Sequence, residues 1–222
     1  MNPGAFLYKE KLFFEDQVLK ISSLARDLEK NKKTVHSKGS TYSELKWFQV
    51  DLSKDFDFCR TILTELDASD PELLVFYYLD PGAILHPHRD LTGASMNNRI
   101  RFHVPIITNP NVEFIVNNEK IKMNPGDLWC LDTSYLHSVR NDGFESRVHI
   151  IIECNLNSVI KKKLPSGYKA KLHSLNYALI LGGSFLKAVL INSIKNPKYF
   201  LEQMSMVYKF IKWRVFKSEK PK

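Results

Sequence analysis

The sequence predicts a mainly β domain with flanking helices, an α+β arrangement, followed by a helical extension. Short apolar runs with strand character lie between residues 73 and 155 and are separated by turn signals. Two stretches before residue 70 carry apolar residues at helical spacing. The composition changes abruptly after Asn155, so the predicted domains are 1–155 and 156–222.

Length and composition narrow the class of protein. A chain of 222 residues can bury a core without disulfides or a structural zinc ion. Its three cysteines, Cys59, Cys130 and Cys154, are odd in number, widely spaced and form no C-x-x-C pair, which disfavours a disulfide framework and a zinc cluster. The first residues show no basic leader followed by a long apolar segment. We therefore expect a cytoplasmic protein.

Two helices are predicted ahead of the strand-rich region. Residues 5–30 predict a short strand and an amphipathic helix, and residues 30–43 predict a polar, basic loop. Residues 45–50 predict a strand, after which Ser53 is expected to cap a second helix that runs through Asp67. The helices are expected to pack their apolar faces into the core. The core positions are Val18, Leu19, Ile21, Leu24, Ala25, Leu28, Phe56, Cys59, Ile62, Leu63 and Leu66.

A candidate metal site follows the turn signal at 80–82, in a strand-like segment that carries His88 and Asp90. Residues two apart on a strand face the same way, so this imidazole and this carboxylate can bind one ion. His137, in a later strand-like segment, is the natural third ligand. Two histidines and one carboxylate leave three coordination positions open, which suits iron(II) with a chelating cosubstrate and dioxygen.

A strand with a cationic face lies between the ligand segments. Arg99, Arg101 and His103 alternate there with apolar residues. If the apolar side packs against a second layer, the cationic side lines the cavity of the metal and favours a dicarboxylate or another anion. For one strand alone, arginines that pair with neighbouring acids at a solvated face are the alternative. The position between two ligand segments favours the cavity.

Other residues of this region have less specific interpretations. His86 shares a face with His88; a ligand or substrate contact is one interpretation, and a place at the surface or beside the site is the one we expect. Trp129 is expected in the core. Arg147 begins the last predicted strand, and His149 on the same face either orients a ligand or fills the interior. Residues 92–98 are polar and predict a loop over the mouth of the site.

The order of these motifs resembles the iron(II)/2-oxoglutarate dioxygenases, and among them it is most similar to the aspartyl/asparaginyl β-hydroxylase family. The resemblance covers residues from about 73 to 155. It rests on Pro81-Gly82, Pro87-His88, Arg99-x-Arg101-x-His103, Gly126-Asp127, Asp132-x-Ser134-x-x-His137 and Arg147.

The resemblance implies a double-stranded β-helix, a jelly-roll or cupin-like barrel, with iron(II) bound by His88, Asp90 and His137. The implied reaction is hydroxylation of a C–H bond of an aspartyl or asparaginyl residue, a free amino acid or a related anionic substrate. Dioxygen and 2-oxoglutarate would be consumed, and succinate and carbon dioxide released. In the best-known animal members a glycine takes the place of Asp90, so this chain resembles the bacterial small-molecule hydroxylases of the group at least as well.

Further residue roles are implied by the same resemblance. Arg147 would form a salt bridge with the far carboxylate of 2-oxoglutarate, and His103 would contact that carboxylate. Tyr77 stands where some relatives use a Ser on the cosubstrate. Arg101 would face the substrate. An alternative function is a binding module whose metal site is not catalytic, and desaturation or ring closure is an alternative reaction.

Residues 156–222 carry the positive charge of the chain. They hold fourteen lysines and arginines against two acids, a net charge of +12, whereas residues 1–155 have a net charge of −4. Helices are predicted at about 168–194 and 196–216. They either pack on the barrel or on a second subunit of a homodimer, or bind an anionic membrane surface as a peripheral anchor. Nucleic acid is disfavoured, because no binding module is recognisable.

Overall fold

The computed structural model describes residues 4–30, 35–36, 47–90, 99–133 and 135–165, and part of the segment 183–208. The chain divides into two units, Met1–His173 and Ser174–Lys222. The first unit contains every strand described below. The predicted division after residue 155 stays a prediction.

Eleven strands are found in the described part of the chain. They are β1 (Ala5–Lys9), β2 (Val35–His36), β3 (Trp47–Asp51), β4 (Leu73–Leu79), β5 (Ile84–His88), β6 (Arg99–Ile107), β7 (Val112–Val116), β8 (Glu119–Lys120), β9 (Leu128–Leu131), β10 (His137–Asn141) and β11 (Arg147–Asn155). The larger sheet has the strand order β1-β9-β6-β11-β4-β3-β2, and the smaller has the order β5-β10-β7-β8. All pairings are antiparallel.

The chain alternates between the two sheets from β4 to β11. Strands β4, β6, β9 and β11 belong to the larger sheet, and β5, β7, β8 and β10 belong to the smaller one. Strands that alternate in this way wind two facing sheets into a double-stranded β-helix. The predicted fold, mainly β with flanking helices, is confirmed.

Three helices are described in the first unit, α1 (Glu15–Lys30), α2 (Asp57–Leu66) and α3 (Ser158–Lys163), and they contribute to the core of the larger sheet. Ile21, Ile62 and Ile160 belong to the same buried cluster as Phe76 and Phe102 of the sheet. The helices therefore brace the outer face of this sheet and leave its inner face to the smaller sheet.

Two predictions about the helices are wrong. Helix α2 begins at Asp57 and its N-cap is not Ser53, because the Ser53 hydroxyl accepts a hydrogen bond from the backbone N–H of Asp55 and closes a separate turn. Leu19 is 64% exposed. The buried positions of α1 fall three, four and seven residues after Val18, so Leu19 lies outside the buried stripe.

Several predicted features lie wholly or partly outside the described residues. Of the loop predicted at 30–43, only Lys30 and Val35–His36 are described. Lys30 ends α1, and Val35–His36 forms a strand beside β3. The predicted loop at 92–98 and Ser134 are not among the described residues. In the segment 183–208 the described residues are helical except Asn196, whose Oδ1 accepts a hydrogen bond from the backbone N–H of Lys198 at 3.2 Å, as expected for a helix cap.

The hairpin of β7 and β8 is a feature that the sequence analysis missed. Asn117 and Asn118 connect the strands with φ values of 50° and 63°. Asparagine tolerates this left-handed conformation better than most residues, so the Asn-Asn pair was a usable turn signal.

Apolar side chains of both sheets fill part of the space between them. Leu79 and Leu131 of the larger sheet belong to one buried cluster with Phe114, Val116 and Val139 of the smaller sheet. The same interior also holds a group of polar and charged side chains, described next.

Candidate active site

Three predicted metal ligands meet at the smaller sheet. The pairing of β5 with β10 places His88 opposite His137, and the centroids of the two rings are 4.3 Å apart. Asp90 lies just beyond β5, where its backbone N–H donates to the carbonyl oxygen of Thr133 at 2.8 Å. Ligand atoms of His88, Asp90 and His137 all lie within 4.8 Å of one another.

Both imidazoles are held in the tautomer that a metal requires. Nδ1 of His88 lies 2.7 Å from the carbonyl oxygen of His86, and Nδ1 of His137 lies 3.0 Å from that of Tyr135. A carbonyl can only accept, so each Nδ1 carries the proton and each Nε2 keeps its lone pair. Nε2 of His88 lies 3.4 Å from Oδ1 of Asp90. The donor set therefore fits a divalent metal ion.

Electrostatics favours an ionised Asp90 and a neutral His137, the protonation states in which these two residues can bind a metal ion. Burial opposes ionisation of Asp90, but His88 and Arg101 outweigh it and hold its pKa well below the usual range. Burial lowers the pKa of His137 to about 4, against the opposing charge of Asp90. Burial also opposes a charge on His88, but the contact with Asp90 raises the pKa of His88. A carboxylate and a neutral imidazole are thus available at neutral pH.

A buried arginine, Arg147, lies on the inner face of the larger sheet. It is 2% exposed, its Nη2 is 2.7 Å from Nδ1 of His149, and its Nε has no hydrogen-bond partner in the part of the chain that the structure describes. The guanidinium carbon is 5.8 Å from the centre of the Phe114 ring. Burial without a carboxylate among the described residues lowers the pKa of Arg147 to about 9. Such a cation is costly unless an anion binds to it.

The other predicted cosubstrate residues surround this arginine. Nδ1 of His103 is 3.3 Å from Nδ1 of His149, and Nε2 of His103 is buried without a partner. Burial and the charge of Arg147 lower the pKa of His103 well below its usual value. Tyr77 is the cross-strand neighbour of His149, and burial raises its pKa against the opposing charges of Arg147 and Arg101.

The cationic face predicted for β6 is neutralised, so that prediction is wrong in part. Arg101 donates from Nη1 to Oδ2 of Asp90 at 2.6 Å and from Nε to Oε1 of Glu153 at 2.6 Å. Arg99 pairs with Glu72 near the end of the sheet. Glu153 comes from the paired strand β11, Asp90 from beyond the end of β5, and Glu72 from just before β4. The alternation of one strand reveals none of these partners.

The sequence analysis did not predict the contacts that two residues beside the site make with its arginines. His149 is buried and its Nδ1 lies 2.7 Å from Nη2 of Arg147, so it fills the interior and also holds another side chain of the site. Glu153 was not singled out, although it shares the alternation of Arg147 and His149 along β11 and therefore their face. Trp129, predicted in the core, packs against the apolar cluster between the sheets, but its buried Nε1 has no partner.

Comparison with known proteins places this site in context. Residues 20–156, more than half of the chain, match the family model described as aspartyl/asparaginyl beta-hydroxylase. No curated protein sequence matches the chain significantly.

Solved structures with the same fold include a prolyl-4-hydroxylase from Pseudomonas putida, with a TM-score of 0.54 and 12% identity over 68% of this chain and 92% of that one. A Trichoplax adhaerens prolyl hydroxylase, in complex with a peptide of hypoxia inducible factor, has a TM-score of 0.53 and 10% identity over 73% and 88%. HygX from Streptomyces hygroscopicus, with nickel and 2-oxoglutarate bound, has a TM-score of 0.51 and 12% identity over 70% and 84%. At these identities the likeness is one of fold.

Proposed function

The chain belongs to the aspartyl/asparaginyl β-hydroxylase family of iron(II)/2-oxoglutarate dioxygenases, and from that membership we propose which bond it oxidises and which residues do the work. The proposed reaction is hydroxylation of an unactivated C–H bond in an aspartyl or asparaginyl residue, a free amino acid or a related anionic substrate. The observation that carries this proposal is the triad of His88, Asp90 and His137 in an interior that also holds Arg147, whose Nε has no partner among the described residues.

The triad would hold the iron(II) ion. Nε2 of His88, Nε2 of His137 and one oxygen of Asp90 form a set that binds one face of an octahedral metal. When bound, iron(II) and 2-oxoglutarate would, together with dioxygen, supply the oxidising power that hydroxylates the C–H bond. The cosubstrate would leave as succinate and carbon dioxide. The protein's own contribution is to hold Nδ1 of both imidazoles on backbone carbonyls, which leaves Nε2 for the metal, and to keep Asp90 ionised.

Arg147 would bind the far carboxylate of 2-oxoglutarate. Its side chain is buried and lacks an anion, and a guanidinium can hold a carboxylate by two parallel hydrogen bonds. His103 would contact the same carboxylate with Nε2, and Tyr77 would border it, because both lie beside His149. His149 supports this role by fixing one nitrogen of the guanidinium.

Arg101 is our candidate for the substrate contact. A guanidinium has five N–H groups. The contacts of Arg101 with Asp90 and Glu153 use three of them, so two N–H groups remain for a substrate. These two could hold a carboxylate or amide oxygen of the substrate near the metal ligands. An aspartyl or asparaginyl side chain offers such an oxygen two bonds from the β-carbon that the family hydroxylates.

The function is tested by product analysis. The purified chain would be incubated with iron(II), 2-oxoglutarate, air and a panel of free Asp, free Asn and peptides that contain either residue. We expect succinate to form with the correct substrate, and that substrate to gain one oxygen atom in mass. Asp90→Ala should abolish both products and His86→Ala should keep them. Succinate without an oxidised substrate anywhere in the panel would contradict the proposed substrate class.

We also propose that the basic C-terminal residues contact an anionic membrane surface. Leu186, Leu190 and Ile194 recur at four-residue spacing in helical positions, and they are 54%, 61% and 85% exposed. An exposed apolar face in a segment of net charge +12 is typical of an interfacial helix. Among the described residues no helix is both long and apolar enough to cross a bilayer. A cytoplasmic location at the membrane periphery and a homodimer stay predictions.

Vesicle sedimentation tests the membrane proposal. The chain should sediment with vesicles rich in phosphatidylserine and stay in solution with phosphatidylcholine alone, because the attraction is electrostatic. Leu190→Asp combined with Ile194→Asp should release it. Equal sedimentation with both kinds of vesicle, or self-association without vesicles, would contradict a charge-dependent membrane contact.

A further inference from the structure

Glu153 is a carboxylate in the interior that the proposed function leaves without a role. It lies on β11, directly opposite Arg101 on β6, and its side chain is only 12% exposed. A carboxylate in so little water has to be paired, and it is paired with a residue that itself contacts a candidate metal ligand.

The contact with Arg101 fixes the plane of the guanidinium. Nε of Arg101 donates to Oε1 of Glu153 at 2.6 Å, and Nη2 of Arg101 contacts the same oxygen. Two donors on one edge of a planar group leave it little freedom to rotate. The remaining nitrogen, Nη1, is thereby aimed away from Glu153.

Nη1 of Arg101 reaches the carboxylate of Asp90. It donates to Oδ2 at 2.6 Å, and the other oxygen, Oδ1, faces Nε2 of His88 at 3.4 Å. The two oxygens of Asp90 are therefore divided between two tasks. Oδ2 is held by Arg101, and Oδ1 is presented where the ligand atoms converge.

We propose that Glu153 is a positioning residue for the metal site, which acts through Arg101 to orient Asp90 as a ligand that offers one oxygen. The inference rests on the proposed function, because it assumes that the triad binds iron(II). Glu153 acts in two ways: it aims Nη1 at Oδ2, and its negative charge offsets the positive charge of Arg101. Without Glu153, an uncompensated cation beside Asp90 would repel the metal ion and draw the carboxylate toward itself.

The chain contains a matched control for this contact. Arg99, two residues before Arg101 on the same strand, pairs with Glu72, which precedes β4. That pair has the same chemistry and is more exposed than Arg101 and Glu153, and neither of its side chains is recorded in contact with the triad among the described residues. Glu72→Gln therefore removes an equivalent charge without disturbing Asp90.

The test is anaerobic calorimetric titration with iron(II), and it needs no turnover. Glu153→Gln should bind iron(II) about tenfold more weakly than the parent or worse, the usual loss when a residue that orients a ligand is changed. Glu72→Gln should match the parent. In an Arg101→Gln background, adding Glu153→Gln should have little further effect, because Glu153 acts through Arg101.

Several results would overturn the proposal. They are parent-like iron(II) affinity in Glu153→Gln, an equal loss in Glu72→Gln, or the same loss with and without Arg101. If Glu153→Gln does not fold, Arg101→Lys decides: it keeps the charge but cannot hold both carboxylates in one plane, so it should also bind about tenfold more weakly, and parent-like affinity would overturn the proposal. A parent that binds no iron(II) would instead contradict the proposed function itself.

Discussion

Arg147 donates a hydrogen bond from Nη2 to Nδ1 of His149 across 2.7 Å in the buried interior. A guanidinium can only donate, so Nδ1 of His149 carries the lone pair and the proton of that ring is on Nε2. A hydrogen bond from Nδ1 of His103, which lies 3.3 Å from the same atom, requires the proton of His103 to be on Nδ1. In that tautomer His103 has a lone pair on Nε2, which has no partner among the described residues.

This tautomer predicts that 2-oxoglutarate binds together with a proton. The proposed contact of His103 with the far carboxylate needs a proton on Nε2, while Nδ1 keeps its own proton for His149. Binding at neutral pH should take up about one proton, detected by calorimetry of the metal-loaded protein in two buffers of different ionisation enthalpy. His103→Asn, whose amide can still donate to His149, should lose this uptake. Equal binding enthalpies in both buffers for the parent would contradict the contact.

Arg147→Lys should weaken 2-oxoglutarate binding and spare iron(II) binding. Lysine keeps the charge but cannot reproduce two parallel hydrogen bonds, so the loss should be about 1.5–3 kcal/mol, on the order of ten- to a hundredfold. The 2-oxoglutarate requirement for succinate formation measures it. Arg140→Lys is the matched control, because Arg140 pairs with Asp142 at the surface. An unchanged requirement in Arg147→Lys would remove Arg147 from this role.

The sequence was sufficient to predict the three candidate ligands because their placement depends on local rules. Residues two apart on an extended chain face the same way, and this rule predicted that His88 and Asp90 lie together, although β5 ends at His88 and Asp90 lies just beyond it. His137 followed from the order of the motifs, and the register of β5 with β10 places it opposite His88. The mainly β fold was likewise predictable from strands separated by turn signals.

The partners of the arginines were not predictable from one strand. Alternation showed that Arg99, Arg101 and His103 share a face, but it could not show which carboxylates the tertiary structure brings to them. Glu153 reaches Arg101 only because β11 pairs with β6 in one particular register. The site is therefore less cationic than the sequence indicated, and the contact of Glu153 with Arg101 could be recognised only in the tertiary structure.

The metal-free protein should lose stability as the pH falls below about 6.5. Burial lowers the pKa values of His103 and His149 well below normal, and that of His137 to about 4. Their folded pKa values lie below the unfolded value of about 6.5, so the unfolded chain binds more protons below that pH. The stability that neutral histidines contribute is present above about pH 6.5 and is lost as the pH falls toward the folded values.

Urea denaturation between about pH 5 and pH 7.5 measures this loss, expected at up to about 1.4 kcal/mol per pH unit for each such histidine. His149→Asn keeps an acceptor for Arg147 but removes one titrating group, so its stability should fall less steeply with acid. A flat profile for the parent would show that these histidines are not held neutral by burial.

Gly126→Ala should destabilise the barrel. Gly126 has a φ of +84°, and an added Cβ would lie 2.2 Å from the carbonyl oxygen of Phe13. Strain and clash together should cost about 2–3 kcal/mol or more in the free energy of unfolding. Gly183→Ala is the control, because nothing lies within 4 Å of its added Cβ and alanine favours a helix. Equal stability of both variants would contradict the tight approach of Gly126 to Phe13.

Anaerobic titration with iron(II) and then 2-oxoglutarate is the most direct test of the metal site. The parent should develop the weak visible charge-transfer band of the chelate. His88→Ala and Asp90→Ala should lose most of it, because each removes one of three ligands that converge within 4.8 Å. His86→Ala, a change on the same strand outside the triad, should keep it. A parent without the band, or a band that persists in both ligand variants, would contradict an iron(II) and 2-oxoglutarate site at this triad.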